Sequence, residues 1–180
     1  MLYVVRHGET SFNKRGLMCG NINACLTEDG KLVALSLGKK LSGVKFDAAF
    51  CSPLKRAQET LFCILSLNPY PVGVTVDPRL RERNYGYLEA ETALTQPDFV
   101  LRWRLDYDAA KLKMEPLCDL FKRVESFLTD LKANYKGKNV IVVTHNGTIR
   151  AFRRLFGEGR GETDLADLGV GNSACLTFPL

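Results

Sequence analysis

Short apolar runs alternate along the chain with longer stretches in which apolar residues recur at helical spacing. The runs at residues 2–6, 48–51, 72–76, 140–144 and 174–178 have the length and composition of β-strands. Stretches with helical periodicity lie between most of them. Helices interleaved with apolar strands predict an α/β fold, specifically a three-layer α/β/α sandwich with a mainly parallel central sheet.

Four helices are predicted from the same pattern. The clearest periodicity covers residues 117–135, where apolar positions form one face before a stop signal at Gly137. Ser52 offers an N-cap oxygen and Pro53 suits the first helical position, so a second helix is expected over residues 53–66. The other two are a helix that starts at Thr27, with apolar positions Leu32, Leu35 and Leu41, and a helix over residues 148–156.

Composition and charge narrow the class of protein. The chain has 180 residues, 46% of them apolar, which predicts a single domain over residues 1–180. No apolar run reaches the roughly 18 residues that span a bilayer, and no secretory segment precedes Arg6, so we expect a cytoplasmic protein without membrane partners. The net charge of +5 is spread along the chain, which favours a small anionic substrate over nucleic acid.

The cysteines show no metal-binding or redox spacing. None of the six forms a CxxC pair, and most lie in apolar contexts, which predicts reduced thiols packed in the core. Because the chain has only two histidines, a structural zinc site has few ligands, and we expect no metal. The cysteines are Cys19, Cys25, Cys51, Cys63, Cys118 and Cys175.

The two histidines both follow apolar runs. His7 comes directly after Arg6 at the end of the first predicted strand, and His145 directly follows residues 140–144. Because ligands bind at the carboxyl edge of open α/β sheets, near positive helix N-termini, we expect both imidazoles in one pocket. Two histidines in these positions make phosphoryl chemistry the leading hypothesis.

A wider set of motifs carries a family resemblance. Taken in order, the motifs resemble the histidine phosphatase superfamily, which includes phosphoglycerate mutase and fructose-2,6-bisphosphatase. The match runs from residue 1 to about residue 178 and implies a phosphoglycerate mutase-like fold. The segments are Arg6-His7-Gly8-Glu9-Thr10 with Asn13 and Gly20, Leu26-Thr27-x-x-Gly30, Ser52-Pro53-Leu54-x-Arg56-Ala57-x-Glu59-Thr60, Leu80-x-Glu82 with Gly86, His145-Asn146-Gly147, and Asn172-Ser173.

The resemblance implies catalytic roles for five residues, His7, Glu82, His145, Arg6 and Arg56. His7 is the expected nucleophile, attacking phosphorus through a neutral ring nitrogen while its other nitrogen is held by the Gly8 carbonyl. Glu82 is the expected acid and base, which protonates the leaving oxygen and then activates water. The expected phosphate-binding residues are Arg6, Asn13, Arg56, His145 and Asn146, helped by the amides of Asn146 and Gly147 at a helix N-terminus.

Substrate contacts are expected around this centre. Arg83 and Tyr85 follow Glu82 as in the mutase form of the motif, and Thr10 and Gly20 lie in the first matched segments. Residues 91–113, called the cap segment below, are the expected variable part; they either line the pocket or form an amphipathic helix packed on the domain. Its aromatic and basic residues include Phe99, Arg102, Trp103, Arg104, Tyr107 and Lys113.

Taken singly, several of these residues have ordinary explanations. Glu82 lies in the charged run 81–83, which could be solvated surface. Thr10 and Asn13 could serve only as turn or capping residues. Each arginine also has a glutamate close in the chain, which could make an ordinary surface ion pair, Arg6 with Glu9 and Arg56 with Glu59.

The leading functional prediction is a phosphomonoesterase acting on a small phosphorylated metabolite through a phosphohistidine on His7, as a monomer or homodimer and without a cofactor. The short stretch between Gly86 and Glu115 lacks the long insertion typical of mutases, and a shorter cover admits water. Two alternatives remain: a bisphosphoglycerate-dependent phosphoglycerate mutase, and a noncatalytic module on the same fold that binds a phosphate ligand or a protein.

Overall fold

The computed structural model describes residues 1–92 and 100–180. Its centre is a five-stranded sheet with the order β3-β2-β4-β1-β5, in which only the β1–β5 pair is antiparallel. The predicted mainly parallel sheet is therefore confirmed, although β3 is shorter than expected. The strands are β1 Leu2–Arg6, β2 Ala48–Cys51, β3 Val74–Val76, β4 Val140–Thr144 and β5 Cys175–Phe178.

Helices cover both faces of the sheet. Along β4, Val140 and Val142 pack with residues of α4 and α5, whereas Ile141 and Val143 pack with residues of α2 and α3. This alternation confirms the three-layer arrangement. Among the described residues, no helix is long and apolar enough to cross a bilayer. The helices are α1 Ser11–Lys14, α2 Glu28–Leu41, α3 Lys55–Leu65, α4 Leu117–Asn134 and α5 Asn146–Leu155.

Helix α2 forms close to the predicted position but buries a different face. Its buried residues are Gly30, Ala34 and Gly38, and Leu32 is 64% exposed, so the predicted apolar face is wrong at that position. A Cβ on Gly38 would lie 2.8 Å from the carbonyl oxygen of Ile64 in α3. Small residues are buried here because the two helix backbones approach too closely for larger side chains.

Two helix starts differ from the prediction. Helix α3 begins at Lys55 with Leu54 as its N-cap, because the Ser52 hydroxyl accepts the Leu54 N–H at 3.2 Å before the helix starts. Helix α5 begins two residues early, with His145 at the N-cap position directly after β4. Helix α4 ends at Asn134, and Gly137, with φ of 76°, lies in the following turn.

The cap segment contains no α-helix in residues 91–92 and 100–113, so the predicted amphipathic helix is wrong for this part. Its regular structure there is two short 3-10 helices, Val100–Trp103 and Ala110–Leu112. Phe99 lies outside the described residues. Trp103 is 1% exposed and belongs to the core beside α4 and α5, which attaches this segment to the domain.

The six cysteines are all free. Cys19 and Cys51 are buried, but Cys25 and Cys118 are exposed, so the prediction of core-packed thiols is wrong for the latter two. Burial raises the pKa of Cys51 to about 11, which keeps that thiol protonated at neutral pH.

Candidate active site

The two histidines meet because their strands are neighbours. In the parallel register of β1 and β4, Arg6 lies opposite Thr144, so the next residues are His7 and His145. The His7 amide donates to the Thr144 carbonyl at 2.9 Å, and the two ring centroids are 5.1 Å apart. The predicted meeting of both imidazoles at the carboxyl edge of the sheet is confirmed.

The hydrogen bonds of His7 fix its tautomer. Its Nδ1 lies 2.7 Å from the Gly8 carbonyl oxygen, which only accepts, so Nδ1 carries the proton. Nε2 then has a lone pair and accepts from Nε of Arg56 at 3.2 Å. Burial, followed by the charges of Arg56 and Arg6, holds the pKa of His7 well below its ordinary value of 6.5. A neutral ring with an unprotonated Nε2 is what a nucleophile at phosphorus needs.

Side chains from elsewhere in the fold hold the His7 loop. The Thr60 hydroxyl accepts the Gly8 N–H at 2.9 Å and donates to the Arg56 carbonyl at 2.6 Å. From the other side, the Asn172 amide donates to the His7 carbonyl at 3.1 Å. The imidazole is therefore carried by a backbone that is bonded on both sides.

Arg56 is buried against the loop that contains Gly20 and Ile22. Its guanidinium donates to the carbonyls of Gly20 at 2.6 Å and Ile22 at 2.8 Å, in addition to the His7 ring. Burial lowers its pKa from the usual value for arginine. Glu59, its alternative partner, instead accepts the backbone N–H of Leu26 at 2.8 Å. The surface ion pair between Arg56 and Glu59 is therefore not the role of this arginine.

Arg6 has a similar environment. Its guanidinium donates to the Val170 carbonyl, and its Nε is buried without a partner in the part of the chain that the structure describes. The nearby Glu9 carboxylate accepts instead from the Thr27 hydroxyl at 3.0 Å. Burial lowers the pKa of Arg6, and the charge of the nearby Glu82 carboxylate opposes that shift. Arg6 therefore faces the site rather than forming the surface pair with Glu9.

Glu82 is buried, with 7% of its surface exposed, so the explanation of residues 81–83 as a solvated charge run is wrong. The Gly147 amide at the start of α5 donates to both carboxylate oxygens, at 3.0 and 3.2 Å, and the Arg83 amide donates to Oε1 at 2.8 Å. The Gly147 amide, assigned to the phosphate from sequence, is therefore already bonded to the predicted acid and base.

The backbone around Glu82 is held by two threonines of the central strand and helix. Thr144 donates its hydroxyl to the Leu80 carbonyl at 2.7 Å, and Thr148 donates to the Arg81 carbonyl at 2.6 Å. These bonds join the Glu82 loop to β4 and α5, which also carry His145. The positions of the carboxylate and of the second imidazole are therefore coupled.

His145 is fully buried, and its two ring nitrogens have different surroundings. Nε2 lies 2.7 Å from Oγ of Ser52, whereas Nδ1 is buried with no hydrogen-bond partner among residues 1–92 and 100–180. Burial, and then the charge of Arg56, holds the pKa of His145 well below 6.5. A neutral ring with an unpaired nitrogen beside His7 can donate to an oxygen of a phosphoryl group.

The site opens into a cavity of about 210 Å³ whose lining includes His7 but not His145. Two amide side chains at its wall have their oxygens already bonded: Oδ1 of Asn13 accepts the Thr10 N–H at 3.1 Å, and Oδ1 of Asn146 accepts the Val170 N–H at 2.8 Å. This leaves their NH₂ groups to meet an anion. The lining includes Arg6, His7, Asn13, Gly20, Arg56, Glu82, Tyr85 and Asn146.

The four predicted substrate contacts occupy different surroundings. Gly20 and Tyr85 line the cavity. Thr10 is fully buried and forms a reciprocal capping box with Asn13 at the start of α1, so the ordinary capping explanation describes its contacts. Arg83 is also fully buried and lies outside the cavity wall.

Arg83 instead connects the cap segment to the site. Its guanidinium donates to the carbonyls of Glu115 at 2.8 Å and Arg102 at 2.6 Å. Because the Arg83 amide also binds the Glu82 carboxylate, one residue joins the predicted acid and base to the cap segment.

Trp103 packs behind Glu82. The guanidinium of Arg150 lies 4.2 Å from its ring and that of Arg83 lies 5.0 Å away, both within the range of cation–π contacts. A Cβ on Gly147 would lie 2.9 Å from the Trp103 ring and 2.3 Å from Oε1 of Glu82. Only glycine fits between the indole and the carboxylate.

The remaining features do not suggest another catalytic centre. Within residues 1–92 and 100–180, no group of three or more His, Cys, Asp and Glu side chains could hold a metal ion. A larger cleft of about 920 Å³ beside α3 and β3 has mainly apolar walls and contains none of the predicted phosphate-binding residues.

Comparison with known proteins agrees with this geometry. The sequence profile of the histidine phosphatase superfamily (branch 1) matches residues 2–178. The chain belongs to this superfamily. A Schizosaccharomyces pombe protein named "Probable phosphatase" is 33% identical over 90% of this chain and 76% of its own length. A 2,3-bisphosphoglycerate-dependent phosphoglycerate mutase of Borreliella burgdorferi is 32% identical over 99% of this chain and 86% of its own length.

A solved structure supports the same assignment. An Escherichia coli protein described as a candidate alpha-ribazole-5'-P phosphatase superposes with a TM-score of 0.74 and 32% identity, covering 87% of this chain and 79% of that one. The protein is therefore an enzyme of the phosphatase type, because it belongs to this superfamily and its relatives include proteins named as phosphatases.

Sequence reasoning missed several residues of this superfamily member's site. Ser52 was expected as a helix cap and as a motif residue without a stated role, although its position after β2, beside β4, was a signal that it could reach His145. Thr60 and Asn172 were noted only as motif residues, and their bonds to the His7 loop depend on tertiary contacts. The chain's single tryptophan, Trp103, gave a compositional signal, but its place behind Glu82 did not follow from any periodicity.

Proposed function

We propose that this enzyme is a phosphomonoesterase that hydrolyses a small phosphorylated metabolite through a phosphohistidine on His7. One observation carries the proposal: the neutral His7 ring lies in the same cavity as half-buried Arg6, buried Arg56 and the Glu82 carboxyl group. This arrangement supplies a nucleophile, positive charge for a phosphoryl group and a group that can transfer protons.

In the first step, the lone pair of His7 Nε2 forms a bond to phosphorus as the bond to the ester oxygen breaks. Glu82, in its protonated form, gives its proton to that leaving oxygen. The guanidinium groups of Arg6 and Arg56 neutralise the equatorial phosphoryl oxygens, and His145 donates to one of them. The products are the alcohol and a phosphohistidine.

In the second step, water attacks the phosphohistidine. Glu82, now a carboxylate, accepts a proton from the water as its oxygen bonds to phosphorus and the bond to His7 Nε2 breaks. Inorganic phosphate leaves, and the protonated Glu82 and neutral His7 are restored. No step requires a group beyond the side chains already described.

One observation supports hydrolysis over isomerisation. The alignment with the Borreliella mutase extends over 214 positions, against 180 residues here, so the mutase has residues without a counterpart in this chain.

The cavity of about 210 Å³ is smaller than typical drug-sized pockets of roughly 300–1,000 Å³, which supports a small substrate.

The proposal is tested by release of inorganic phosphate. Purified protein, His7→Ala and His145→Ala are compared on p-nitrophenyl phosphate, 3-phosphoglycerate, sugar monophosphates and nucleotide monophosphates. Hydrolysis that disappears in His7→Ala, together with a phosphohistidine detected by mass spectrometry of acid-free quenched samples, supports it.

Absence of hydrolysis by the folded wild-type protein on every ester would contradict the proposal. Isomerisation of 3-phosphoglycerate on addition of bisphosphoglycerate would then establish the mutase alternative. Phosphate binding without turnover would instead establish a noncatalytic module.

A further inference from the structure

The partner of His145 on strand β2 is Ser52. In the parallel register of β2 and β4, Cys51 lies opposite Val143, and the Ser52 amide donates to the Val143 carbonyl at 3.1 Å. This fixes the serine backbone beside the end of β4. Its Oγ then lies 2.7 Å from Nε2 of His145, and both side chains are fully buried.

Proton accounting decides the direction of that hydrogen bond. A serine hydroxyl has one proton to donate and two lone pairs to accept with. The Leu54 N–H donates to Oγ of Ser52 at 3.2 Å, which occupies one lone pair. If His145 also donated, the Ser52 proton would have no acceptor among its bonds in the described structure, and a buried unsatisfied donor is costly. The favourable arrangement is Ser52 O–H donating to Nε2 of His145.

We propose that Ser52 is a positioning residue that fixes the proton of His145 on Nδ1 by donating its own hydroxyl proton to Nε2. Nδ1–H is then a donor for the phosphoryl group carried on His7, whose ring centroid is 5.1 Å away. The use of this donor in catalysis rests on the proposed function. The assignment of the His145 tautomer does not depend on that function.

The hydrogen bond from Ser52 to Nε2 leaves Nδ1 of His145 available to a phosphoryl oxygen. Buried polar atoms in native proteins are nearly always paired, so an orphan in a site calls for an explanation. Nδ1 of His145 has no partner in the described structure and would gain one when a phosphoryl oxygen arrives. A donor held ready before the reaction stabilises developing charge without reorganising. With the other tautomer, Nδ1 would offer a lone pair to an anion and repel it.

The tautomer is measured directly by long-range ¹H–¹⁵N correlation NMR of the imidazole rings. The chain has only two histidines, so a His145→Gln spectrum assigns the signals by difference. We expect protonated Nδ1 and unprotonated Nε2 for His145 in the wild type. In Ser52→Ala this signature is lost, and in Ser52→Thr, which keeps a hydroxyl, it is retained.

A kinetic measurement tests the consequence. We expect Ser52→Ala to lower kcat for phosphate release by about tenfold with little change in KM, because the donor acts on charge that develops in the transition state. Ser52→Thr should recover part of the loss. Ser66→Ala is the matched control, since it removes a hydroxyl bonded to the Cys63 carbonyl at the other end of α3, and it should leave kcat unchanged.

The outcomes separate this inference from the proposed function. A wild-type spectrum with protonated Nε2 on His145, or an unchanged tautomer in folded Ser52→Ala, overturns the role of Ser52 whatever the activity. A protein with the expected tautomer that hydrolyses no ester contradicts the phosphatase proposal and leaves the Ser52 contact established. If Ser52→Ala fails to fold, the wild-type and Ser52→Thr spectra still decide the question.

Discussion

Gly147→Ala tests the link between the start of α5 and the proposed acid and base. The added Cβ would lie 2.3 Å from Oε1 of Glu82 and 2.9 Å from the Trp103 ring, so either the carboxylate or the buried indole must move. The carboxylate is the smaller group. Its displacement breaks the bonds from the Gly147 amide, now 3.0 and 3.2 Å long.

The expected loss of rate in Gly147→Ala follows from the hydrogen bonds between the Gly147 amide and the Glu82 carboxylate. A hydrogen bond to a charged group contributes about 1.5–3 kcal/mol, which corresponds to roughly 10- to 150-fold in rate if the whole amount is lost in the transition state. We also expect the crowding to lower the free energy of unfolding by about 1–3 kcal/mol. Gly43→Ala is the control, because a Cβ at Gly43 meets nothing within 4 Å.

Two substrates sharpen the assay. An alkyl phosphate needs a proton on its leaving oxygen, whereas p-nitrophenolate leaves without one. With a displaced Glu82, cleavage of alkyl phosphates should slow by the full factor, while p-nitrophenyl phosphate should give a rapid burst of p-nitrophenol followed by slow turnover, since phosphohistidine accumulates. A folded Gly147→Ala variant with unchanged turnover of both esters would refute the reasoning.

Three further predictions concern the histidines and Arg56. His7→Ala should abolish the phosphohistidine and lower phosphate release by more than about 10³-fold; a variant that retains measurable burst kinetics would contradict this. Because burial holds the pKa of both histidines well below 6.5, the unfolded chain binds more protons below that pH, and the free energy of unfolding should fall between about pH 7 and about pH 5.5. Urea denaturation checks this, and a His7→Gln, His145→Gln double variant should show a smaller decrease. Arg56→Lys removes the planar fork and should raise the inhibition constant of inorganic phosphate by about tenfold or more; unchanged inhibition would remove Arg56 from the phosphate site.

The sequence predicted the central sheet and the meeting of His7 and His145 because both depend on local patterns. The five-residue apolar run of β4 is long enough to identify, and a parallel sheet places strand ends together. The same reasoning failed for Leu32, because helical periodicity shows which residues are apolar but not that two helices pack through glycine and alanine.

Contacts between distant segments were also beyond the sequence pattern. The Gly147 amide binds Glu82 because the Glu82 loop is bonded to β4 and α5, and no residue near Gly147 in the chain indicates this. Arg83 has the charge expected of a substrate-binding residue. Its guanidinium instead donates to the carbonyl of Arg102 in the cap segment and to the carbonyl of Glu115 just after it. Such partners depend on tertiary structure, so the sequence identified the residue and not its bonds.

The position of Trp103 gives the enzyme a built-in optical reporter. It is the only tryptophan in the chain, and its indole lies close to two guanidinium groups behind the Glu82 loop. Intrinsic fluorescence excited at the indole band therefore comes from one known place. A change in emission on addition of phosphate would report movement of this loop or of the attached cap segment, and the affinity of unlabelled ligands could be read by titration before any substrate is known.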